Sequence, residues 1–350
     1  MSHFITNDRD MAYVGDTPWH ELGKQMRPGA SIEEWQKEAG LLFTVAKAQV
    51  EFTAMVRTGV NSVVAGSEIY KGRKVTYRED NGLGLGIVGD NYKVHQPGEI
   101  IAFLRDFATK AGLTIETMGS LLGGARIWAL AKMDTAITLP GNDQSMPYFL
   151  ISTSYNGETA TIGTFTMVRV VCWNTLTAAL EVYYNAQSQE TDEVTDKKRI
   201  VTGFNNPHNA EFKPEQAARE SARLYKAAVQ YGERASLLAT TGVNDDQMLE
   251  YFLSLYGSVG QDGAITRQSR EKVDTLVQLY KTGPGADLKS AKGTVWGLLN
   301  AVTRYVDHEA NQRAAGGRLN SAWFGTGQDK KREAEKAALA LVPERQLVAA

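Results

Sequence analysis

The stretch Pro97-Gly-Glu-Ile-Ile-Ala-Phe-Leu-Arg-Asp-Phe-Ala-Thr-Lys-Ala-Gly112 decides what kind of fold this chain adopts. Ile100, Phe103, Leu104, Phe107 and Ala111 recur at the spacing of one helix face. Pro97 suits the first helical turn, where an N–H has no partner to lose. Gly112 suits the residue past the end, where the backbone turns left-handed. On both sides the period drops to two, as in strands. Upstream, residues 42–57 alternate through Phe43, Val45, Val50 and Phe52. Residues 69–78 carry Ile69, Val75 and Tyr77 around Lys71-Gly-Arg-Lys74, which reads as a hairpin with a basic turn. Leu83 to His95 reads as a strand pair turning at Gly89-Asp90. Downstream, strands are expected at 113–119, 125–133 and 146–155. A helix framed by hairpins implies an α+β fold: a twisted, mostly antiparallel sheet with flanking helices, expected on one face.

Farther out the pattern changes again. Ser31 is placed to cap a short helix whose first turn holds Glu33 and Glu34. Phe165 and Met167 begin an extended run that is expected to become helical through Arg169–Leu176. A polar stretch from Gln187 to Lys198 reads as a loop. From Pro214 the spacing is almost all helical, over 214–239, 245–256, 268–281, 291–311 and 330–341. Gly283-Pro-Gly285 and Gly316-Gly317 punctuate these helices. A sheet-rich region, 1–210, is thus followed by a helical portion, 211–350, expected to pack on it as one interleaved fold.

The 350 residues are 43% hydrophobic, ample for a sizeable core. The net charge of −2 supplies no global basic field. No apolar run approaches the ~18 residues of a membrane span, and the first residues lack a signal-peptide layout. With one cysteine, Cys172, no internal disulfide forms, and a reducing cytoplasm is expected.

Three segments stand out by their Trp, His, Asn and Arg content in an apolar frame. They are Thr17-Pro-Trp-His-Glu-Leu-Gly23, Arg169-Val-Val-Cys-Trp-Asn-Thr-Leu176 and Gly293-Thr-Val-Trp-Gly-Leu-Leu-Asn-Ala-Val-Thr-Arg-Tyr-Val-Asp-His308. In this order they resemble a phage- and plasmid-associated family called domain of unknown function 932. The resemblance runs from about Met11 to Lys336. It implies a mobile-element protein working in a host cytoplasm and attaches no chemistry to it.

Catalytic patterns are weak. Gly82-Leu-Gly-Leu-Gly86 lies in a strand-like alternation, and the next helix opens only at Pro97, so a glycine-bearing strand outweighs a phosphate loop. Cys172 sits among Val170, Val171 and Trp173 and reads as a small core hydrophobe. The five histidines are scattered without zinc spacing. Glu116 and Lys132 fall on separate strands without the tight acid-lysine pattern of a metal-dependent nuclease. No catalytic residue, metal ligand or cofactor is assigned.

Binding patterns are stronger. Arg313, Arg318, Lys330, Lys331 and Arg332 surround Trp323-Phe324 in a glycine-loosened loop. Cations neutralise phosphates and aromatics stack on bases, the pairing that single strands require. Lys71, Arg73 and Lys74 offer a second basic site, and Arg169 a further cation that is either a phosphate ligand or half of a buried ion pair. Asn174, Thr175 and Asn300 are expected to tie two helices together. The expected function is nucleic-acid binding in recombination or replication, with single-stranded DNA the favoured partner and a homo-oligomer the expected assembly. The alternatives are a non-catalytic host-modulating or self-assembling protein and a metal-dependent enzyme acting on nucleic acid.

Overall fold

The computed structural model describes residues 10–15, 23–59, 62–169, 174–176, 203–221, 224–260, 262–310, 321–323 and 325–343. Strands β1 (Met11–Tyr13) and β2 (Lys24–Gln25) precede helix α1 (Ile32–Glu38). Ser31 caps α1 as its sequence position requires. The Glu34 N–H donates to the Ser31 hydroxyl at 3.2 Å, and the Ser31 N–H donates to the Glu34 carboxylate at 2.7 Å.

Strands β3 (Val45–Gly59) and β4 (Ser62–Arg78) form one long antiparallel hairpin, and β5 (Gly84–Gly89) extends it to three strands in the order β3-β4-β5. The run Lys71–Lys74 is therefore not a turn. Gln49 pairs with Lys74 and Glu51 with Ile69, so Tyr70–Arg73 bulge out opposite Val50 alone. Gly72 has φ +80° there, a left-handed value that a side chain resists. The composition of a turn marks an interruption inside a strand. After β5 no second strand forms, and the chain runs on into α2 (Pro97–Ala111). Gly112 closes α2 in the left-handed conformation its position predicts.

The large sheet is built from β6 (Thr114–Leu121), β7 (Arg126–Lys132), β8 (Ile137–Leu139), β9 (Asp143–Ser154), β10 (Thr161–Arg169), β11 (Asn174–Leu176) and β12 (Gly203–Asn206), together with β1 and β2. Its main path is β11-β10-β9-β7-β6-β1-β2, with β12 on β10 and β8 on β9. All pairings are antiparallel except β1 with β2. Where a helix is expected through Arg169–Leu176, the described residues are strand: Asn174 pairs with Arg169 and Thr175 with Val168. Short apolar runs fit either element by pattern, and pairing with β10 decides this one.

Helices α3 (Pro214–Ser221), α4 (Leu224–Thr240), α5 (Asp245–Tyr256), α6 (Arg267–Thr282), α7 (Val295–Arg304) and α8 (Thr326–Ala340) follow, and α7 runs into a π-helical turn over Tyr305–Glu309. Phe149 and Phe165 are register partners and share a sheet face. Phe107 of α2 packs on Phe149, and Tyr231 of α4 on Phe165, so both helices cover that face. Trp128 points the opposite way along β7 and meets Trp323 edge-on at 5.2 Å. The central strands are buried on both faces, where the sequence suggests helices on one. The fold is α+β with a helical C-terminal region. One continuous apolar core joins Val45 and Leu85 of the small sheet, Phe149 and Phe165 of the large one, and Trp296 and Ala334 of the helices.

The small sheet docks on the large one through a close approach. A Cβ on Gly86 would lie 2.4 Å from Asn156 Cα. The Thr76 hydroxyl donates to the Tyr155 carbonyl at 2.5 Å across the same junction. The glycine run 82–86 thus serves strand packing.

Candidate nucleic-acid interface

Cations meet two environments in this molecule, interior and exposed. Arg169 belongs to the interior, with its side chain 3% exposed. Its Nε donates to Asp143 Oδ1 at 2.8 Å and its Nη2 to Oδ2 at 2.7 Å and to the Gly285 carbonyl at 3.1 Å. Asp143, fully buried, also accepts from the Ser290 hydroxyl at 2.6 Å and from Trp296 Nε1 at 2.9 Å. Two strands, a loop and α7 therefore meet on one carboxylate. Arg169 is withdrawn from any phosphate because burying a guanidinium requires a partner charge, and Asp143 is that partner.

The C-terminal basic run is also largely internal. Lys331 is 1% exposed and donates to Asp307 at 2.8 Å. Burial lowers its pKa, and Asp307 opposes that shift. Consecutive helical residues point about 100° apart, and Lys331 is the member of Lys330-Lys331-Arg332 that faces inward. Lys330 donates to the Leu255 carbonyl at 2.9 Å, lies 5.2 Å from the Tyr256 ring and pairs with Glu333. Arg332 lies 3.8 Å from Asp329. Trp323 is a core anchor against Trp128, not a stacking platform. Arg313, Arg318 and Phe324 lie outside the described residues, as do Cys172 and His20. Arg126 likewise faces a carboxylate, that of Glu158, at 3.3 Å. Asn300 donates to the Trp296 carbonyl one turn back within its own helix.

A group of exposed cations lies on the β3–β4 hairpin, while other exposed cations are spread over the rest of the surface. Lys71 and Arg73 sit in the bulge, exposed, and Lys74 beside them is half-buried. Beyond Arg73 the hairpin loses the support of β5 and continues as a two-stranded arm. Almost every described side chain on it faces solvent. Residues 47–74 hold five cations (Lys47, Arg57, Lys71, Arg73, Lys74) against two carboxylates (Glu51, Glu68), in a chain whose net charge is −2. Phe52 and Tyr70, 48% and 55% exposed, pack edge-to-face at 6.4 Å next to the bulge. At the root of the arm a cleft of about 320 Å³ is lined by Lys47, Asp90, Asn91, Tyr92, Lys93 and Asn209. The Lys47 ammonium donates there to the Tyr92 carbonyl at 2.7 Å. Arg57, Phe52 and Tyr70 complete the arm, and no motif in the sequence marks them as site residues. The signal for Phe52 and Arg57 is the apolar-rich run Phe52–Val56 of β3, on what proves to be a strand exposed on both faces; Tyr70 lies on β4.

Two histidines far apart in the chain also meet. His95 and His208 stack at 4.4 Å, and Tyr92 stacks on the other side of His208 at 4.4 Å. His208 Nδ1 lies 2.7 Å from the Lys93 carbonyl, which fixes it as the protonated nitrogen. Thr161 Oγ1 lies 2.6 Å from His95 Nδ1, and Thr153 joins Thr161 at 2.7 Å and His208 Nε2 at 3.2 Å. Burial lowers both imidazole pKa values, that of His208 to about 4. The cluster fastens the 207–210 loop to the sheet. Among the described residues no group of three or more His, Cys, Asp or Glu is placed to hold a metal. Glu116 and Lys132 form a cross-strand ion pair at 3.3 Å. No described helix is long and apolar enough to cross a membrane.

The fold is α+β, with two open, mostly antiparallel sheets, a two-stranded arm on the smaller one and a helical C-terminal region. The chain belongs to the family described as a domain of unknown function, DUF932, whose model matches residues 84–323. No curated protein and no solved structure matches it.

Proposed function

We propose that this chain is a nucleic-acid-binding protein of phage or plasmid recombination or replication, working in a host cytoplasm and holding single strands along the β3–β4 arm. The observation that carries this reading is the exposed Phe52–Tyr70 pair set beside Lys71 and Arg73 on an arm with a cation excess. Adjacent exposed apolar side chains mark interaction surfaces, and every base offers a face to stack on aromatic rings. The neighbouring cations supply the sequence-independent attraction to phosphate. The reading rests on the hairpin and not on Lys331 and Trp323, which are enclosed, whereas Lys71 and Arg73 are exposed.

The test is fluorescence anisotropy of a labelled single-stranded oligonucleotide at low and physiological salt, with double-stranded DNA and RNA as competitors. Salt-sensitive binding that double-stranded DNA displaces poorly is the expected result. Absence of binding at low salt removes the reading.

A second reading, self-assembly, is favoured by a separate observation. Met55, Val56 and Ile69 on the same arm are 68%, 55% and 52% exposed.

A further inference from the structure

The open edge of β3 fits a second copy of this chain. β3 is the outer strand of its sheet, and among the described residues only β4 pairs with it. Proteins usually blunt such an edge with lysines, prolines or a covering element, because its free N–H and C=O groups invite another strand. The segment Glu51-Phe-Thr-Ala-Met-Val-Arg57 carries no lysine and no proline, and its apolar side chains Phe52, Met55 and Val56 lie in solvent.

The same segment is complementary to itself in reverse. An antiparallel pairing about a two-fold axis through Ala54 sets Glu51 opposite Arg57 of the second copy. Phe52 then faces Val56, Thr53 faces Met55, and Ala54 faces Ala54. Strand alternation places Glu51, Thr53, Met55 and Arg57 on one face and Phe52, Ala54 and Val56 on the other, so every opposed pair shares a face. Glu51 and Arg57 are the two charged residues of the segment, and symmetry uses each twice, giving two ion pairs that flank an apolar centre. Moving the axis by one residue, to Thr53 or Met55, sets Glu51 opposite Met55 or Gly59 and removes both pairs. Charge and apolar pattern therefore specify one register.

We propose that this chain forms a closed two-fold dimer by edge-to-edge pairing of Glu51–Arg57 in β3. The interface is isologous, so it saturates at two copies instead of growing into a ring or fibre. It stands on strand complementarity and is independent of whether the arm meets nucleic acid.

Sedimentation velocity over a concentration series tests it on the full chain. The wild type sediments as a reversible dimer. Glu51→Arg alone, or Arg57→Glu alone, opposes like charges at both ends of the segment and weakens the dimer by roughly tenfold or more. An equimolar mixture of the two variants restores association, because each opposed pair again joins a cation to an anion. The double variant Glu51→Arg/Arg57→Glu restores it likewise. An independent arm keeps the native charges. Ala54→Cys, with Cys172→Ser, crosslinks to its own copy across the axis, and Thr53→Cys in the same background does not, since its sulfur is offset beyond disulfide reach. Circular dichroism confirms that the variants remain folded; the arm positions substituted are exposed or half-buried. A monomeric wild type, a particle of more than two chains, or no recovery in the mixture overturns the proposal.

Discussion

The interior cations and the cations of the β3–β4 arm are the same residue types in opposite circumstances. Arg169 and Lys331 each lie against a buried carboxylate, Asp143 and Asp307, on elements held by the continuous core. Lys71, Arg73 and Arg57 stand on a two-stranded arm with solvent on both faces. A buried charge is held by its counter-charge and cannot leave it without a large penalty. An exposed one is held by little and is available to a phosphate. Charge type alone therefore does not mark a binding site; what the charge already neutralises does.

The sharpest way to break this contrast is to remove a buried partner. Asp143→Ala removes the counter-charge of the Arg169 guanidinium and the acceptor of the Ser290 hydroxyl and the Trp296 N–H, and is expected to cost about 3–5 kcal/mol of stability. Urea unfolding measures it. Lys71→Ala, unfolded under the same conditions, is expected to change stability by no more than about 0.5 kcal/mol. A small loss in Asp143→Ala contradicts the assignment of Arg169 to the interior.

A comparable loss follows from pH. His208 is held neutral by burial, with its pKa lowered from 6.5 to about 4. Above pH 6.5 the folded and unfolded chains both carry it neutral, and its contribution is full. As pH falls through 6.5 the unfolded state takes the proton first, so stability drops progressively until about pH 4, by on the order of 3 kcal/mol. His208→Gln is expected to flatten the stability profile between those values. A profile unchanged by that substitution places the titration elsewhere.

On the arm the effects reverse their readout. Phe52→Ala and Tyr70→Ala are each expected to weaken single-strand binding by about 1–3 kcal/mol as base stacking disappears. Their effect on unfolding is expected to stay within about 1 kcal/mol, because both rings are half exposed. Equal losses in stability and binding would make the pair a structural clasp of the hairpin.

Much of the fold is legible in the sequence because its signals are local. The 3.6 spacing between Pro97 and Gly112 is realised in α2, the Ser31 cap in α1, and the alternations near 114, 126 and 146 in β6, β7 and β9. The misreadings share a cause. Lys71-Gly-Arg-Lys74 has the composition of a turn, and only the register of Gln49 and Glu51 against β4 makes it a bulge. Arg169–Leu176 has helix-compatible spacing, and only the pairing of Asn174–Leu176 with β10 makes its end a strand. Lys331 reads as exposed because its neighbours Lys330 and Arg332 are charged, while Asp307 lies on another element. His95 and His208 are more than a hundred residues apart, and no spacing rule reaches that far. Helical periodicity is carried by adjacent residues, whereas partner choice across a sheet or between elements is set by tertiary packing. The candidate site depends on the second kind of information, which is why its weight shifts from the C-terminal run to the hairpin.

The most direct measurement is the salt dependence of single-strand affinity for the wild type and for Lys71→Ala/Arg73→Ala/Lys74→Ala. A linear fall of log K with log salt is expected in the wild type. In the variant the slope becomes shallower by roughly 0.7 for each phosphate the arm no longer neutralises, with folding stability preserved. An unchanged slope in a folded variant, or no binding by the wild type at low salt, would contradict the assignment of the arm as the nucleic-acid interface.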